Sequence, residues 1–185
     1  MWAIDWAYGL NDYQVVPGWP DWLNSFDTYD VDAIANGRAT EHECRLMLQS
    51  LFEDRFRLRV HWARKTVTAF ALIPGRKGPR LRTGGRVIIN GEVKQAASEI
   101  EAPDGWTMPR LANYLASVRG IGMPVLDKTG LTGVFGLALS YSIADDDGRP
   151  DIFSALPDQL GLRLQAIRAP VDMFVIDHVE HPTGN

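Results

Sequence analysis

Residues 41–73 read EHECRLMLQSLFEDRFRLRVHWARKTVTAFALI, and a change of period inside this stretch decides the fold. In its first half the apolar residues are Cys44, Met47, Leu48, Leu51 and Phe52, spaced as on one face of an amphipathic helix. Thr40 stands before it as N-cap and Glu43 follows three residues later, which is a capping box. The period then drops to two. Phe56, Leu58, Val60 and Trp62 alternate with Arg57, Arg59 and His61, as in a half-buried strand. A turn is expected at Ala63–Lys65 and a second strand at Thr66–Ile73, ended by Pro74-Gly75. The stretch therefore predicts helix, strand, turn, strand.

The same order recurs further along. Thr107 caps a helix with Met108, Leu111, Ala112, Leu115 and Val118 on one face, and Pro109 sits in its first turn. Pro124–Asp127 and Val134–Ser142 read as strands around the turn segment KTGLTG at 128–133. A third copy has a short helix at Ile152–Leu160, with Ser154 as N-cap so that Pro157 falls in the first turn. It continues with a strand at Leu162–Ile167, a turn at Arg168–Pro170 and a strand at Val171–Val179, apolar enough to be central in a sheet. A degenerate copy is expected at 1–35, with a helix at Trp2–Leu10 and a strand at Phe26–Ile34.

Residues 74–106 form a Gly/Pro/Lys/Arg-rich insertion. Within it VIINGEV (87–93) carries Asn90-Gly91, a two-residue hairpin signal, and an exposed hairpin or mobile flap is expected. The class predicted is α+β in one domain, 1–185, built of units at 1–35, 41–73, 108–141 and 152–179. Helices would pack on one face of a largely antiparallel sheet, or on two small sheets.

Composition narrows the function classes. The 185 residues are 45% hydrophobic and 23% charged, as in an ordinary globular chain. Net charge is −4 without a Lys/Arg block, so no nucleic-acid partner is indicated. No apolar run reaches the ~20 residues of a membrane helix. No signal peptide is visible, so the chain as written would be cytoplasmic. One cysteine, Cys44, makes no internal disulfide.

Candidate chemistry is sparse. His178 and His181 flank acids in DHVEH, and a histidine pair at that spacing could bind a divalent metal; exposed histidines are the default. Asp127 and Asp177 each end a strand, where a carboxylate can act as acid, base or ligand, or can cap a turn. With His178 they are the candidates for a catalytic site. The loop DDDGRPD (145–151) is not an EF-hand, because aligning Gly148 as the sixth position puts Ile143 first. Neither a nucleophile elbow nor a phosphate-binding glycine loop is present, and no cofactor is evident.

Six tryptophans are many for this length. Trp19 and Trp22 lie in a Pro/Gly-rich turn, either as a ligand platform or folded back as a lid. The strand face with Arg57, Arg59 and His61 is the second candidate surface, for an anionic ligand or simply for water.

Four segments carry a resemblance. They are WAYGLNDYQVVPGWPDWLNSFDTYDVDA (6–33), MLQSLFEDRFRLRVHW (47–62), MPVLDKTGLTGVF (123–135) and IFSALPDQLGLRLQAIRAPVDMFVIDHVEHPTGN (152–185). Together they resemble a soil-associated family of uncharacterised proteins abundant in acidobacteria, with mainly 74–106 unmatched. The resemblance implies a domain of unknown function, in a family whose members are usually exported and sometimes fused to a membrane metallopeptidase of the β-lactam-sensor type. That context implies an extracytoplasmic sensing or binding role. The helix–strand–strand units are also similar to the short N-terminal domains of secretins and TonB-dependent receptors. Two departures stand out. The usual leader and leading strand are missing, as in a truncated chain, and Phe135-Gly136 replaces an aromatic–acid pair.

Three functions follow as expectations. The first is a non-catalytic module binding a small molecule or protein. The second is a small hydrolase of esters or phosphoesters, using a metal or a carboxylate/His site. The third is a domain that self-associates through an exposed sheet edge.

Overall fold

The computed structural model describes residues 2–15, 20–24, 37–93, 96–142 and 148–182. The strand expected at Phe26–Ile34 and the Trp19 platform lie outside these residues. The class is α+β. The helices are α1 (Trp2–Tyr8), α2 (Glu41–Phe56), α3 (Met108–Ala116) and α4 (Ile152–Ala155). The strands are β1 (Arg59–Pro74), β2 (Arg82–Val93), β3 (Ala96–Ala102), β4 (Val125–Asp127), β5 (Phe135–Ser140) and β6 (Leu162–His178). They form two three-stranded sheets, ordered β4-β1-β6 and β3-β2-β5. The chain divides into two compact units, Met1–Lys65 with Pro170–Asn185, and Thr66–Ala169.

In the first unit α2 forms as its pattern predicts. The Thr40 hydroxyl accepts from the Glu43 N–H, and the Glu43 carboxylate accepts from the Thr40 N–H at 2.8 Å. The Thr40 N–H, and after it the Thr40 hydroxyl, donate to the Glu43 carboxylate and hold it below the usual range. Phe52 of the α2 stripe joins a core of Ile4, Ala7, Val15, Leu58, Phe174 and Val179, with Leu48 and Leu51 packed against it, whereas Met47 of the same stripe is exposed. Gln49 ties α2 to α1 by donating to the Ala7 carbonyl at 2.8 Å.

The turn expected at Ala63–Lys65 does not form, and β1 stays extended through it. No Gly, Pro, Asn or Asp is present there to stabilise a bend. Arg64 instead reaches Asp172 of β6 at 3.4 Å. The turn expected at Arg168–Pro170 is also absent, and β6 runs unbroken. Pro170 fits because β6 ends its sheet order, and an edge strand tolerates a residue without an N–H. Among the described strands β6 is therefore an edge strand and not the central strand its apolar run suggests. A lone parallel bridge from Val15 to Phe174 covers part of its outer side.

In the second unit α3 buries Met108, Leu111, Ala112 and Leu115, the face read from its period. The two strands that follow it enter different sheets. β4 pairs parallel to β1 and β5 pairs parallel to β2, so the sheets are the two small ones of the expectation and each is mixed.

The 74–106 segment does hold a hairpin, β2 paired antiparallel with β3, but the hairpin is no flap. It supplies β2, the middle strand of its sheet, with Val87 and Ile89 fully buried. Asn90 and Gly91 are not a turn but lie inside β2, opposite Glu99 and Ser98. The glycine is there for close approach: a Cβ would meet the Tyr141 ring at 2.1 Å.

The helix cap near 152 is Asp151, not Ser154. Its carboxylate accepts from the N–H groups of Phe153 and Ser154 and from the Ser154 hydroxyl. An ionised carboxylate outcompetes a hydroxyl for those donors. α4 then widens into a π-helical turn, Leu156–Leu160, which contains Pro157 and ends at Gly161 (φ 66°). From this turn Gln159 reaches back to β5. Its amide accepts from the Ser140 N–H at 2.8 Å and donates to the Ser140 carbonyl at 2.7 Å.

Two outcomes are expected. Gly91→Ala should cost about 1–3 kcal/mol by overpacking, read by urea denaturation. A smaller residue at Tyr141 should recover part of the loss. Asp151→Ala should cost about 1 kcal/mol at pH 7. The Asp151 carboxyl is held below its ordinary value, chiefly by the Ser154 hydroxyl. Its stabilisation is therefore present above the unfolded value of about 3.9 and fades as pH falls through the lower folded value. Wild type and variant should converge in acid.

Candidate functional site

The end of α2 and the end of β6 meet in the first unit. α2 stops at Arg57, whose φ of 49° makes it the non-glycine residue with positive φ among those described. The chain re-extends at Leu58, whose N–H returns to the Phe52 carbonyl at 3.2 Å, and enters β1 at Arg59. After β6 the Glu180 N–H donates to the Phe56 carbonyl at 2.7 Å. That backbone bond pins the tail of β6 to the α2 terminus.

Between them lies a cavity of ≈ 510 Å³ lined by Arg57, Arg59, Asp177, His178 and Glu180. All five side chains are exposed, so the cavity is a shallow, wet one. Two hydrogen bonds order its acidic wall. His61 Nδ1 donates to Asp177, 2.8 Å from Oδ2, and His178 Nε2 donates to Glu180 Oε1 at 2.7 Å. Because a carboxylate only accepts, each bond fixes which imidazole nitrogen carries the proton.

The site residues read from sequence sort clearly. Arg57, Arg59, Asp177 and His178 share the cavity, and His61 joins through Asp177. His178 is bonded to Glu180, and His181 stacks on Trp22 with ring centroids 4.1 Å apart. Trp22 is half-buried against the core. Asp127 belongs to the second unit, and its carboxylate accepts from the N–H and hydroxyl of Thr129 at 2.9 and 2.7 Å. It serves the KTGLTG turn and is not among the cavity's lining residues. Among the described residues no three His, Cys, Asp or Glu side chains gather as a metal site. Glu180 enters the site through its spacing of two from His178, the one signal the sequence holds for it.

A family model described as a protein of unknown function (DUF3738) matches residues 1–179. The chain belongs to the DUF3738 family. The match runs through 74–106, which the resemblance had left aside, and takes in every cavity residue except Glu180. No curated protein and no solved structure matches. No described helix is long and apolar enough to cross a membrane.

The DUF3738 chain holds Arg57 in a conformation that costs an L-residue roughly 1–2 kcal/mol. Arg57→Gly should relieve that strain and leave the melting temperature unchanged or raised, while taking one charge from the cavity. A drop of several degrees would show instead that the Arg57 side chain is needed for packing.

Proposed function

We propose that the chain is a non-catalytic ligand-binding module of sensor type, and that the cavity at the α2–β6 junction is its binding site. The observation that carries this is the state of the arginines. Among the described residues neither Arg57 nor Arg59 comes within 4.0 Å of a carboxylate, although both line a cavity with Asp177 and Glu180. Guanidinium groups bind oxyanions through paired N–H donors, and these donors face an open cavity. The family context implied by the resemblance, exported chains beside a sensor peptidase, supports a role outside the cytoplasm.

A second reading is favoured by one geometry. Asp177 orients His61 through Nδ1, which leaves Nε2 able to act as a general base for ester or phosphoester hydrolysis. The two readings separate in one assay. On chromogenic esters and phosphomonoesters the binding module should show no turnover above that of its His61→Ala variant. In a thermal-shift screen of charged metabolites, a stabilising ligand should lose its effect in Arg57→Ala/Arg59→Ala. Turnover abolished by His61→Ala would replace the binding reading with the hydrolytic one.

A further inference from the structure

The charges around the cavity are two of each sign, set on different elements. Arg57 and Arg59 belong to the α2–β1 junction, Asp177 to the end of β6, and Glu180 lies two residues beyond that strand. Opposite charges that line one cavity attract each other and can close into ion pairs. Here the carboxylates are held by imidazoles instead, at 2.8 Å from His61 and 2.7 Å from His178. Each carboxylate keeps lone pairs to spare, since one imidazole bond uses a fraction of its capacity. The guanidinium groups keep all their donors among the described residues.

A plain anion entering this cavity would gain the arginines but meet two carboxylates. A plain cation would meet the reverse. A molecule with both charges, some ångströms apart, satisfies both walls at once. The strained backbone at Arg57 points the same way, because strain retained beside a cavity is more common where geometry serves a ligand. A volume of ≈ 510 Å³ lies within the range of small-molecule sites.

We infer that the cavity takes a small zwitterion of the amino-acid or short-peptide class, its carboxylate on Arg57 and Arg59 and its ammonium on Asp177 and Glu180. The inference rests on the reading of this cavity as a binding site and names its ligand chemistry. No bond is made or broken.

The test uses the full chain and three probes: the dipeptide Gly-Leu, its N-acetyl form and its C-terminal amide. Binding is followed by amide chemical shifts. Gly-Leu is expected to bind at least about tenfold tighter than either blocked form, the loss of one charge-assisted contact. In Arg57→Gly/Arg59→Ala the advantage over the amide should vanish. In Glu180→Gln the advantage over the N-acetyl form should shrink. Well-dispersed amide spectra confirm that each variant is folded. Equal binding of Gly-Leu and both blocked forms, or no shift with any of them, overturns the zwitterion. If N-acetyl-Gly-Leu binds as well as Gly-Leu and still needs the arginines, the zwitterion falls while the cavity stands as an anion-binding site. Loss of arginine dependence for every ligand would sink the cavity itself.

Discussion

The pairing of β1 with β6 is the constraint on which the other elements depend. Cross-strand contacts run His61 to Asp177, Arg64 to Asp172 and Thr66 to Arg168, stepping up one strand as they step down the other. That is an antiparallel relation between segments about a hundred residues apart. Its contacts are polar and exposed, and each adds little by itself. Their effect is register. Once His61 faces Asp177, Phe174 is placed against Tyr8 and Trp62, with ring centroids 4.8 and 5.4 Å away. Register also brings the tail of β6 back to α2, where the Glu180 N–H finds the Phe56 carbonyl. The α2 end would otherwise leave that carbonyl to water. One backbone bond thus completes a helix terminus and closes a cavity wall.

The second unit is organised around β2, and its logic is close packing. Val87, Ile89 and Gly91 alternate inward, and Tyr141 occupies the space that a side chain at 91 would fill. The Tyr141 hydroxyl lies 2.7 Å from that of Tyr114 on α3. A large ring can be buried there because its polar end has a partner. Gln159 performs the same service for β5, standing in for a neighbouring strand at Ser140. Both backbone groups of Ser140 are satisfied this way, without a further strand.

This explains which parts of the fold were legible in the sequence. The caps at Thr40 and Thr107 and the stripes of α2 and α3 depend on neighbours within four residues, so they read directly. The α+β class followed from the change of period. Strand ends did not read. Alternation reports which face is buried, but it says nothing about whether the chain bends, and Ala63–Lys65 could have been either. Asn90-Gly91 misled for a related reason. Glycine is used for turns and for close approach, and the second use is set by Tyr141, fifty residues away. Asp127 was readable as a turn residue because Thr129 lies two positions on. The cavity was half readable. Arg57, Arg59 and His61 stood out as one surface and Asp177 with His178 as another, yet their meeting depends on the β1–β6 register.

The exposure of the cavity has a consequence for how such a site persists. Burying four charges without pairing them would cost several kcal/mol per ion. Here all of them are exposed to solvent, so the fold sustains arginines without a carboxylate partner among the described residues at little expense in stability. The same hydration limits what any one contact can contribute to binding, because water screens it. Affinity in such a site has to come from several contacts made at once by one rigid arrangement. The backbone bond at Glu180, the imidazoles on Asp177 and Glu180 and the left-handed turn at Arg57 supply that rigidity. Each restricts a wall of the cavity without neutralising the arginines. Helix ends usually carry glycine at such a position, so the restraint at Arg57 is kept at the cost of backbone strain.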